Sequence, residues 1–351
     1  MSLLDKIKKN STIKDSAILS KSKFFTEKDM IPTSIPMVNV ALSGKLEGGL
    51  TPGLTMWAGP SKHFKTAFSL LMAKSYMDKY DESVLIFYDS EFGTPQSYFD
   101  TFGINTERVL HTPLTDIEQL KFDIMKQLEG IERNDRVMII IDSIGNLASK
   151  KEVDDALEGK SVADMSRAKQ VKSLFRMVTP HLNLKDIPMV VVNHTYKEIG
   201  LYPKDIVGGG TGSYYSADNI FIIGRQQEKD GTEITGYNFI INVEKSRYVR
   251  EKSKIPVSVS YDGGINNWSG LLEIALESGH VIKPTNGWYC KVDKETGEMG
   301  DKKRLADTQN EEFWGEILAS EDFKDFVRKK YENSYGNIMG QNDVLEETEE
   351  V

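Results

Sequence analysis

Short apolar runs recur along the chain and alternate with longer stretches in which apolar residues follow a helical spacing. The runs are bounded by polar or turn residues and lie at 54–58, 84–88, 137–141, 189–192, 220–223 and 239–243. Runs of this kind are typical of strands that are buried on both faces. Helical patterns separate the first four runs, at 66–80, 117–131 and 162–178. Alternating strands and helices predict an α/β fold with a mostly parallel, twisted sheet flanked by helices.

The segments outside this pattern suggest how the chain is divided. Residues 31–53 are rich in glycine and proline and predict a series of turns. After residue 220 the strands follow one another closely, which indicates an antiparallel extension of the sheet. The glycine-rich stretch 261–270 indicates a boundary, and the last residues have so little apolar surface that we expect them to be disordered. The predicted organisation is an N-terminal helical arm at 1–30, an α/β core at 31–268, a small C-terminal α/β domain at 269–335 and an acidic tail at 336–351.

Length and composition exclude several classes of protein. The 351 residues, 39% hydrophobic and 28% charged, describe a globular protein of one large domain with additions or of two domains. The sequence has neither an apolar run long enough to span a membrane nor an apolar signal segment at its start. The one cysteine, Cys290, cannot form an internal disulfide, and no cluster of cysteine and histidine predicts a zinc site. We therefore expect a cytoplasmic protein without a membrane partner.

The charged residues are unevenly distributed. The net charge is −9, from 44 Lys and Arg against 53 Asp and Glu, which argues against a protein that coats nucleic acid with its whole surface. Basic residues nevertheless cluster at 1–28, 160–176 and 241–254, whereas 343–351 holds acidic residues and no basic one. Local basic clusters can bind a phosphate polymer even on an acidic protein. Ordinary solvated faces would explain each cluster taken singly.

A phosphate-binding loop is the strongest local signal. Such a loop follows a strand and opens a helix, so that backbone N–H groups face the phosphates, a lysine reaches the β- and γ-phosphates and a hydroxyl holds Mg²⁺. Lys65 and Thr66 fit the last two roles, but Phe64 stands where the usual pattern has glycine. On this motif alone, an ordinary strand-to-helix turn stays an alternative. The predicted nucleotide-binding residues are Gly59, Pro60, Ser61, Lys62, His63, Phe64, Lys65 and Thr66.

Two carboxylates and a histidine follow other strands of the predicted sheet. Asp142 ends one strand, where a carboxylate can meet Mg²⁺ through its water shell. Glu91 follows another strand, where a glutamate can orient and deprotonate the water that attacks the γ-phosphate. Ligands of open α/β sheets bind at these strand ends, so the phosphate loop and the two carboxylates together predict a bound nucleotide. His194 follows the fourth strand and either senses the γ-phosphate or is a hydrogen-bonded histidine of purely structural importance.

Two segments lack any regular apolar period. Residues 195–213 are rich in glycine, and 154–161 is a second segment of this kind, flanked by the basic cluster at 160–176. A long stretch without a period inside a compact domain is usually functional or mobile. We therefore expect both segments to be loops.

Several motifs carry a resemblance to a known family. Those at the predicted nucleotide site are GPSKHFK, FYDSEFG and IDSIGNLASKKE, and they occur together with SKFFTEKD, SLFRMVTP, YSADNIFIIG, NVEKSR and KPTNGWY. Across residues 22–289 the chain resembles the UvsX-like strand-exchange recombinases of T4-like bacteriophages and, more distantly, bacterial RecA. UvsX-like sequences share Phe64, so this residue does not argue against nucleotide binding. The resemblance implies a RecA-type P-loop ATPase core that forms helical filaments on single-stranded DNA.

The resemblance also implies ATP and Mg²⁺ as cofactors. By position, Lys65 and Thr66 bind phosphate and Mg²⁺, and Asp142 is the carboxylate linked to Mg²⁺. Glu91 is the implied catalytic base, and Tyr98 matches a tyrosine that stacks on adenine. The implied enzyme is a DNA-dependent ATPase that couples hydrolysis to homologous pairing and strand exchange in phage recombination, repair and recombination-dependent replication.

Other implied roles concern DNA and neighbouring subunits. His194 matches a residue, glutamine in RecA, that couples the γ-phosphate to DNA affinity. Lys245 and Arg247 match a basic pair that reaches the ATP of the neighbouring subunit, and the N-terminal arm matches a segment that packs on that subunit. The implied DNA-binding loops are 150–163 and 195–213, with contacts from Arg167, Gly208, Gly209 and Gly210. The implied partners are single-stranded DNA, homologous duplex DNA, further copies of the chain, a phage single-strand-binding protein and a recombination mediator, all in the host cytoplasm.

Two other functions stay open. A ring helicase of the same ATPase superfamily would share the phosphate loop, both carboxylates and the basic pair. Nothing in the sequence resembles an added ring-forming domain, and the Gly-Trp-Tyr motif at 287–289 favours the recombinase. A DNA-pairing mediator that has lost hydrolysis would fit Phe64 but not Glu91 and Asp142. Electron microscopy separates the recombinase, which forms helical filaments on DNA, from the helicase, which forms closed rings. An ATPase assay with and without DNA separates both from the mediator that has lost hydrolysis.

Overall fold

The computed structural model describes residues 2–13, 15–22, 28–160, 166–198, 203–294 and 296–333, and it confirms the α/β fold class. The helices are α1 (Leu3–Asn10), α2 (Pro36–Ser43), α3 (Lys65–Lys79), α4 (Gln96–Thr101), α5 (Ile117–Gly130), α6 (Lys150–Leu157), α7 (Ser166–Lys185), α8 (Thr211–Ser216), α9 (Leu271–Ser278), α10 (Glu311–Ala319) and α11 (Glu321–Tyr331). The strands are β1 (Gly53–Ala58), β2 (Val84–Asp89), β3 (Val109–Pro113), β4 (Val137–Asp142), β5 (Pro188–Asn193), β6 (Thr195–Lys197), β7 (Asp205–Val207), β8 (Asn219–Asp230), β9 (Glu233–Ser246), β10 (Lys254–Ser260), β11 (Gly264–Ile265), β12 (Val281–Thr285), β13 (Trp288–Lys291) and β14 (Lys303–Arg304).

The chain folds into two compact units. The first comprises the described residues within Met1–Thr33 and Leu50–Gly224, and the second comprises Ser34–Gly49 with the described residues within Arg225–Val351. The change from one unit to the other falls inside β8. Throughout the described ranges, no helix combines the length and the apolar character that crossing a membrane requires.

The first unit is built on a parallel sheet. Its strands stand in the order β8-β1-β5-β4-β2-β3, and each neighbouring pair is parallel. The central strands β1, β4 and β5 are buried along their whole length, in agreement with apolar runs that do not alternate. Because parallel strands all point the same way, the carboxyl ends of β1, β2, β4 and β5 lie at one edge of the sheet, where ligands of such folds bind.

Helices cover both faces of this sheet. α5 and α7 pack apolar residues such as Ile124 and Phe175 against Met56 and its neighbours on one face. Trp57 follows Met56 in β1 and therefore points to the other face. Its fully buried ring stacks on Phe68 of α3 at 5.0 Å and lies 4.6 Å from the ring of Phe221 in β8, and its indole N–H donates to the Met72 sulfur at 3.3 Å. Trp57 thus anchors α3, the helix that the phosphate loop opens, to the sheet.

The second unit contains antiparallel sheets. After Gly224, β8 continues into a hairpin with β9, which pairs with β10, and β10 pairs with the short β11. A Cβ at Gly236 would lie 2.4 Å from the Val259 carbonyl oxygen, so the close pairing of β9 with β10 requires glycine there. Strands β12, β13 and β14 form a separate small antiparallel sheet beside α9. The predicted antiparallel extension after residue 220 is therefore confirmed.

Among the elements that the sequence pattern missed are α2 and β3. Residues 31–53, predicted as turns, contain α2, which begins with Pro36 and ends at Gly44 in the left-handed conformation (φ 77°). α2 is buried on nearly all sides and so shows no amphipathic period. Strand β3 is an edge strand with mostly exposed or half-buried residues, and it lacks the apolar run that marks a buried strand.

The two predicted loops are partly regular, which corrects the sequence interpretation. All of 150–157 is helix α6, in which apolar residues are few and no residue is buried. Within 195–213, β6 and β7 form an antiparallel pair, and α8 begins at Thr211. Helix α7 extends beyond the predicted 162–178 to Lys185, and β8 and β9 are longer than predicted. The division into arm, core and C-terminal domain stays a prediction, and the tail at 336–351 lies outside the described residues.

We expect Trp57→Ala to destabilise the first unit by about 3–5 kcal/mol, because it removes a large buried ring and leaves a cavity between α3 and the sheet. Urea unfolding followed by circular dichroism measures the change. Phe122→Ala is the matched control, since that aromatic side chain is 71% exposed, and it should change the free energy of unfolding by less than about 0.5 kcal/mol. Equal stability of the two variants would contradict the anchoring role of Trp57.

Candidate nucleotide-binding and DNA-binding site

The loop at 59–66 joins β1 to α3 as predicted. Phe64, directly before α3, has φ 62° and ψ 15°, in the left-handed region. A residue with a Cβ pays about 1–2 kcal/mol there, which is why glycine is usual. The Phe64 ring packs edge-on against Phe68 at 5.4 Å, a contact that offsets part of this cost. Phe64 therefore keeps the backbone path of a phosphate loop although it replaces glycine.

The rest of the loop follows the same path. Gly59 leaves β1 and Lys62 also adopts a left-handed conformation (φ 61°). A ring nitrogen of His63 hydrogen-bonds the Ser61 carbonyl at 2.9 Å, and the Lys65 ammonium donates to the Pro60 carbonyl at 2.7 Å. The backbone thus curls around the end of the Lys65 side chain.

Lys65 is buried, with 6% of its surface exposed. Burial lowers the pKa of its ammonium, while the negative charges of Glu91 and Asp142 raise it. A partly desolvated ammonium interacts strongly with an incoming anion because water screens it less. Lys65 is therefore suited to the phosphate contact predicted for it.

Thr66 and Asp142 are brought together by α3 and β4. The Thr66 hydroxyl donates to Asp142 Oδ2 at 2.7 Å, while the buried Asp142 Oδ1 has no hydrogen-bond partner among the described residues. Burial raises the pKa of Asp142 to about 6, assisted by the negative charges of Glu91 and Asp89 and opposed by the Thr66 hydrogen bond. An unpaired buried carboxylate oxygen beside a hydroxyl fits the water shell of Mg²⁺.

The donors at this point suit a metal ion that arrives with the nucleotide. Mg²⁺ usually takes one or two protein oxygens and completes its shell with water and phosphate. In the described ranges, no group of three or more histidine, cysteine, aspartate or glutamate side chains could hold a metal ion. Thr66 and Asp142 would therefore share the ion with phosphate oxygens.

Glu91 accepts two hydrogen bonds at one carboxylate oxygen. Ser143 Oγ donates to Glu91 Oε1 at 2.6 Å, and His194 Nε2 lies 2.9 Å from the same atom. The His194 contact lowers the pKa of Glu91 to about 2, with a further contribution from Ser143 and against the effect of burial. These two contacts keep the Glu91 carboxyl ionised and restrict the rotation of its side chain.

A pocket of about 460 Å³ opens in front of these groups. Tyr98 lies on its wall, with its ring edge-on to Phe102 at 5.4 Å, and burial raises the pKa of its hydroxyl. An aromatic ring on the wall of a nucleotide pocket can stack on a base. The pocket is lined by Ser61, Lys62, His63, Phe64, Lys65, Thr66, Ala67, Glu91, Gly93, Thr94, Tyr98, Val192 and His194.

The end of β5 connects this pocket to the segment at 203–210. The Asn193 side chain accepts from the His194 N–H at 2.8 Å and donates to the Gly208 carbonyl at 2.8 Å, and the Gly208 N–H donates to the His194 carbonyl at 2.9 Å. A Cβ at Gly145 would lie 2.5 Å from the His194 ring, so the segment after β4 also touches this histidine. His194 thus contacts Glu91 through its ring and Gly208 through its backbone.

The Arg167 side chain hydrogen-bonds the backbone of the segment that follows β4. Its guanidinium donates to the carbonyl oxygens of Leu147 at 2.7 Å, Ile144 at 2.8 Å and Gly145 at 2.9 Å. This side chain holds the segment after β4 in place, and its contact with DNA phosphate stays a prediction. Gly209 and Gly210 have φ of 89° and 72°, which a side chain would disfavour, and their DNA contacts stay predictions as well.

Lys245 and Arg247 belong to the second unit. Lys245 is the penultimate residue of β9, and Arg247 follows the strand at a bend in which Ser246 Oγ accepts from the N–H groups of Tyr248 and Val249 at 3.0 Å each. Their contact with the ATP of a neighbouring subunit stays a prediction.

Sequence reasoning missed three residues of this arrangement. Ser143 binds Glu91, Asn193 links His194 to Gly208, and Gly145 leaves room for the His194 ring. Asn193 is the last residue of β5, and Ser143 and Gly145 come shortly after β4; the ends of both strands were already part of the predicted site. A polar or small residue at such a position was the signal that could have identified them.

Comparison with known proteins identifies the family. The model of the RecA N-terminal domain matches residues 3–266, and the model of the C-terminal domain of the bacteriophage T4 recombination and repair protein matches 268–327. The recombination and repair protein of Enterobacteria phage T4 is 51% identical over 94% of this chain and 86% of its own length. RecA of Bacteroides thetaiotaomicron is 24% identical over 90% of this chain and 93% of its own length, and RecA of Streptomyces rimosus is 25% identical over 79% and 72%. The chain therefore belongs to the RecA family, and within it to the family of the bacteriophage T4 recombination and repair protein, UvsX.

Proposed function

We propose that this chain is an ATP-dependent DNA recombinase that forms helical filaments on single-stranded DNA and catalyses homologous pairing and strand exchange in phage recombination and repair. The observation that carries the proposal is the convergence of Lys65, Glu91, Asp142 and His194 at the ends of neighbouring parallel strands, with His194 bonded to Gly208. The family relation to recombination proteins supports the same function.

ATP hydrolysis would be performed by residues of the first unit. Lys65 and the N–H groups of the loop at 59–66 bind the phosphates, and Tyr98 stacks on the base. Thr66 and Asp142 hold Mg²⁺, which when bound neutralises charge that develops on the phosphates. Glu91 orients the attacking water and accepts its proton, which is the step that requires a free carboxylate oxygen.

His194 would link hydrolysis to DNA. While its ring donates to Glu91, the pKa of that carboxyl is about 2, and such a carboxylate is a weak base. A γ-phosphate that attracts the His194 ring would remove this donor, so the pKa of Glu91 would rise toward its ordinary range. The same movement would displace Gly208, because the backbones of His194 and Gly208 are hydrogen-bonded.

Self-assembly is supported by α1. Leu3, Leu4 and Ile7 of this helix are 75%, 52% and 60% exposed, and none of its residues is buried. An amphipathic helix with an exposed apolar face is a common interaction element. We propose that α1 packs on a neighbouring copy in the filament and that Lys245 and Arg247 reach the nucleotide of that copy.

Lys65→Ala should weaken ATP binding by about 10- to 100-fold, because a charge-assisted hydrogen bond to phosphate is lost. ATP-dependent binding to single-stranded DNA should disappear with it. Fluorescent-nucleotide titration and a DNA-binding assay measure the two effects. Lys126→Ala, at an exposed lysine of α5, is the matched control. Unchanged nucleotide affinity in Lys65→Ala would show that the loop does not bind phosphate.

Glu91→Gln should bind ATP and DNA but hydrolyse ATP about 10²–10⁴-fold more slowly, because the amide keeps the shape of the side chain and cannot accept the proton. DNA-stimulated phosphate release measures this. Glu82→Gln, in an exposed turn, is the matched control. Turnover at the normal rate in Glu91→Gln would remove Glu91 from the chemistry and would favour another base.

Lys245→Ala and Arg247→Ala should each abolish DNA-stimulated hydrolysis, and mixtures of either variant with Lys65→Ala should regain part of it. In a mixed filament, some interfaces combine an intact phosphate loop with an intact basic pair. Electron microscopy of the same mixtures checks that they form helical filaments and not closed rings. Confirmed mixed filaments without any regained activity would mean that the basic pair acts within its own subunit.

A further inference from the structure

The turn that carries Glu91 is held by a buried carboxylate. Strand β2 ends at Asp89, which is 3% exposed, and Asp89 Oδ1 accepts from the N–H of Glu91 at 3.0 Å and from the N–H of Phe92 at 2.8 Å. Phe92 has φ 54°, a left-handed conformation that is unfavourable for a residue with a Cβ. Its side chain is 62% exposed, so its own burial does little to keep the turn in this shape. The two N–H bonds to Asp89 supply the restraint.

The other oxygen of Asp89 meets a histidine from the edge strand. His111 Nε2 in β3 lies 3.2 Å from Asp89 Oδ2, and the His111 side chain is 54% exposed while that of Asp89 is 5% exposed. His111 pairs with Phe87 across β2 and β3, and the two rings lie at 29° to each other with centroids 6.1 Å apart. Phe87 packs beside the imidazole, and the imidazole contacts the second oxygen of an Asp89 carboxylate whose first oxygen is held by two N–H groups.

We propose that Asp89 and His111 are positioning residues for ATP hydrolysis: His111 orients Asp89, and Asp89 sets the backbone from which the Glu91 carboxylate reaches its place. This inference rests on the proposed role of Glu91 as the base. Neither residue lines the nucleotide pocket, and His111 reaches it only through Asp89 and the turn that carries Glu91, so the His111 contact acts on the chemical step through Glu91 and leaves ATP binding alone. Position matters because a displacement of about 1 Å at a reacting group can cost about 10²-fold in rate.

The test compares three variants in DNA-stimulated ATP hydrolysis. His111→Leu removes the polar contact and should lower kcat roughly tenfold, with the KM for ATP unchanged, since the base is loosened and not removed. His111→Gln places an amide N–H near the position of Nε2 and should return kcat to within about threefold of the normal rate. Leu110→Ala, at an exposed residue of the same strand, is the control for the strand itself and should be normal. Thermal unfolding should be alike in all three.

The double variant with Glu91→Gln gives the sharper result. If His111 acts through Glu91, then His111→Leu should lower the residual rate of Glu91→Gln no further, because residues that act as a unit are not additive. A full tenfold further loss in that background, a raised KM or a failure of His111→Gln to restore kcat would overturn the positioning role.

The two levels of the proposal fail differently. A slow Glu91→Gln together with a normal His111→Leu would overturn the role of His111 in orienting Asp89 and would leave the role of Glu91 in place. A normal Glu91→Gln would overturn the role of Glu91 as the base, and the positioning role with it.

Discussion

The hydrogen bond between Glu91 and His194 is the interaction on which the arrangement of the site depends. It joins the ends of β2 and β5, and these strands are separated in the sheet by β4. Ser143, which follows β4, donates to the same oxygen of Glu91. One oxygen of the Glu91 carboxylate therefore accepts hydrogen bonds from residues that follow β4 and β5. A ligand that competes for His194 Nε2 would break this arrangement, so under the proposed function the occupation of the pocket and the rotation of the Glu91 side chain would be linked.

The charges of the candidate site favour a cation beside Asp142. Lys65 contributes one positive charge, while Glu91 is ionised and Asp142 sits near the midpoint of its titration at pH 6. At neutral pH these three side chains sum to about −1, and Lys62 on the wall of the same pocket brings the total close to zero. A divalent cation beside Asp142 would make the site positive and therefore attractive to phosphate. Burying Asp142 Oδ1 without a partner is unfavourable, and a cation with its water shell beside this oxygen would relieve that cost.

Sequence predicted those parts of the molecule that are buried in regular elements or recorded in motifs. The strands β1, β4 and β5 are apolar throughout, and the phosphate loop, Glu91 and Asp142 follow from the rule that ligands bind at strand ends. The resemblance to recombinases added roles that no pattern contains, such as that of Tyr98.

The sequence could not predict elements whose stability comes from tertiary contacts. α2 is buried on nearly all sides and β3 is largely exposed, so neither shows a period, and α6 has a polar sequence without a buried face. The hydrogen bonds around Glu91 could not be predicted from the sequence for a related reason. Asp89, His111 and Ser143 are ordinary polar residues until pairing of β2 with β3 and β4 places them beside one turn. His111 in particular lies on the missed strand.

Phe64 shows how a motif can change while its geometry is kept. The loop needs a left-handed residue before α3 so that the chain can reverse and point its N–H groups into the pocket. Glycine adopts that conformation without steric cost, whereas phenylalanine is destabilised there by about 1–2 kcal/mol. Part of this is offset by the Phe64–Phe68 contact, and Phe68 in turn stacks on Trp57 at 5.0 Å. The aromatic chain Phe64, Phe68, Trp57 thus ties the loop to the core of the sheet. With phenylalanine in place of glycine, the backbone of the unfolded chain has less conformational freedom at this position, and the folded loop gains a packed side chain. For this reason, the absent glycine changes the energetics of the loop and leaves its left-handed backbone conformation in place.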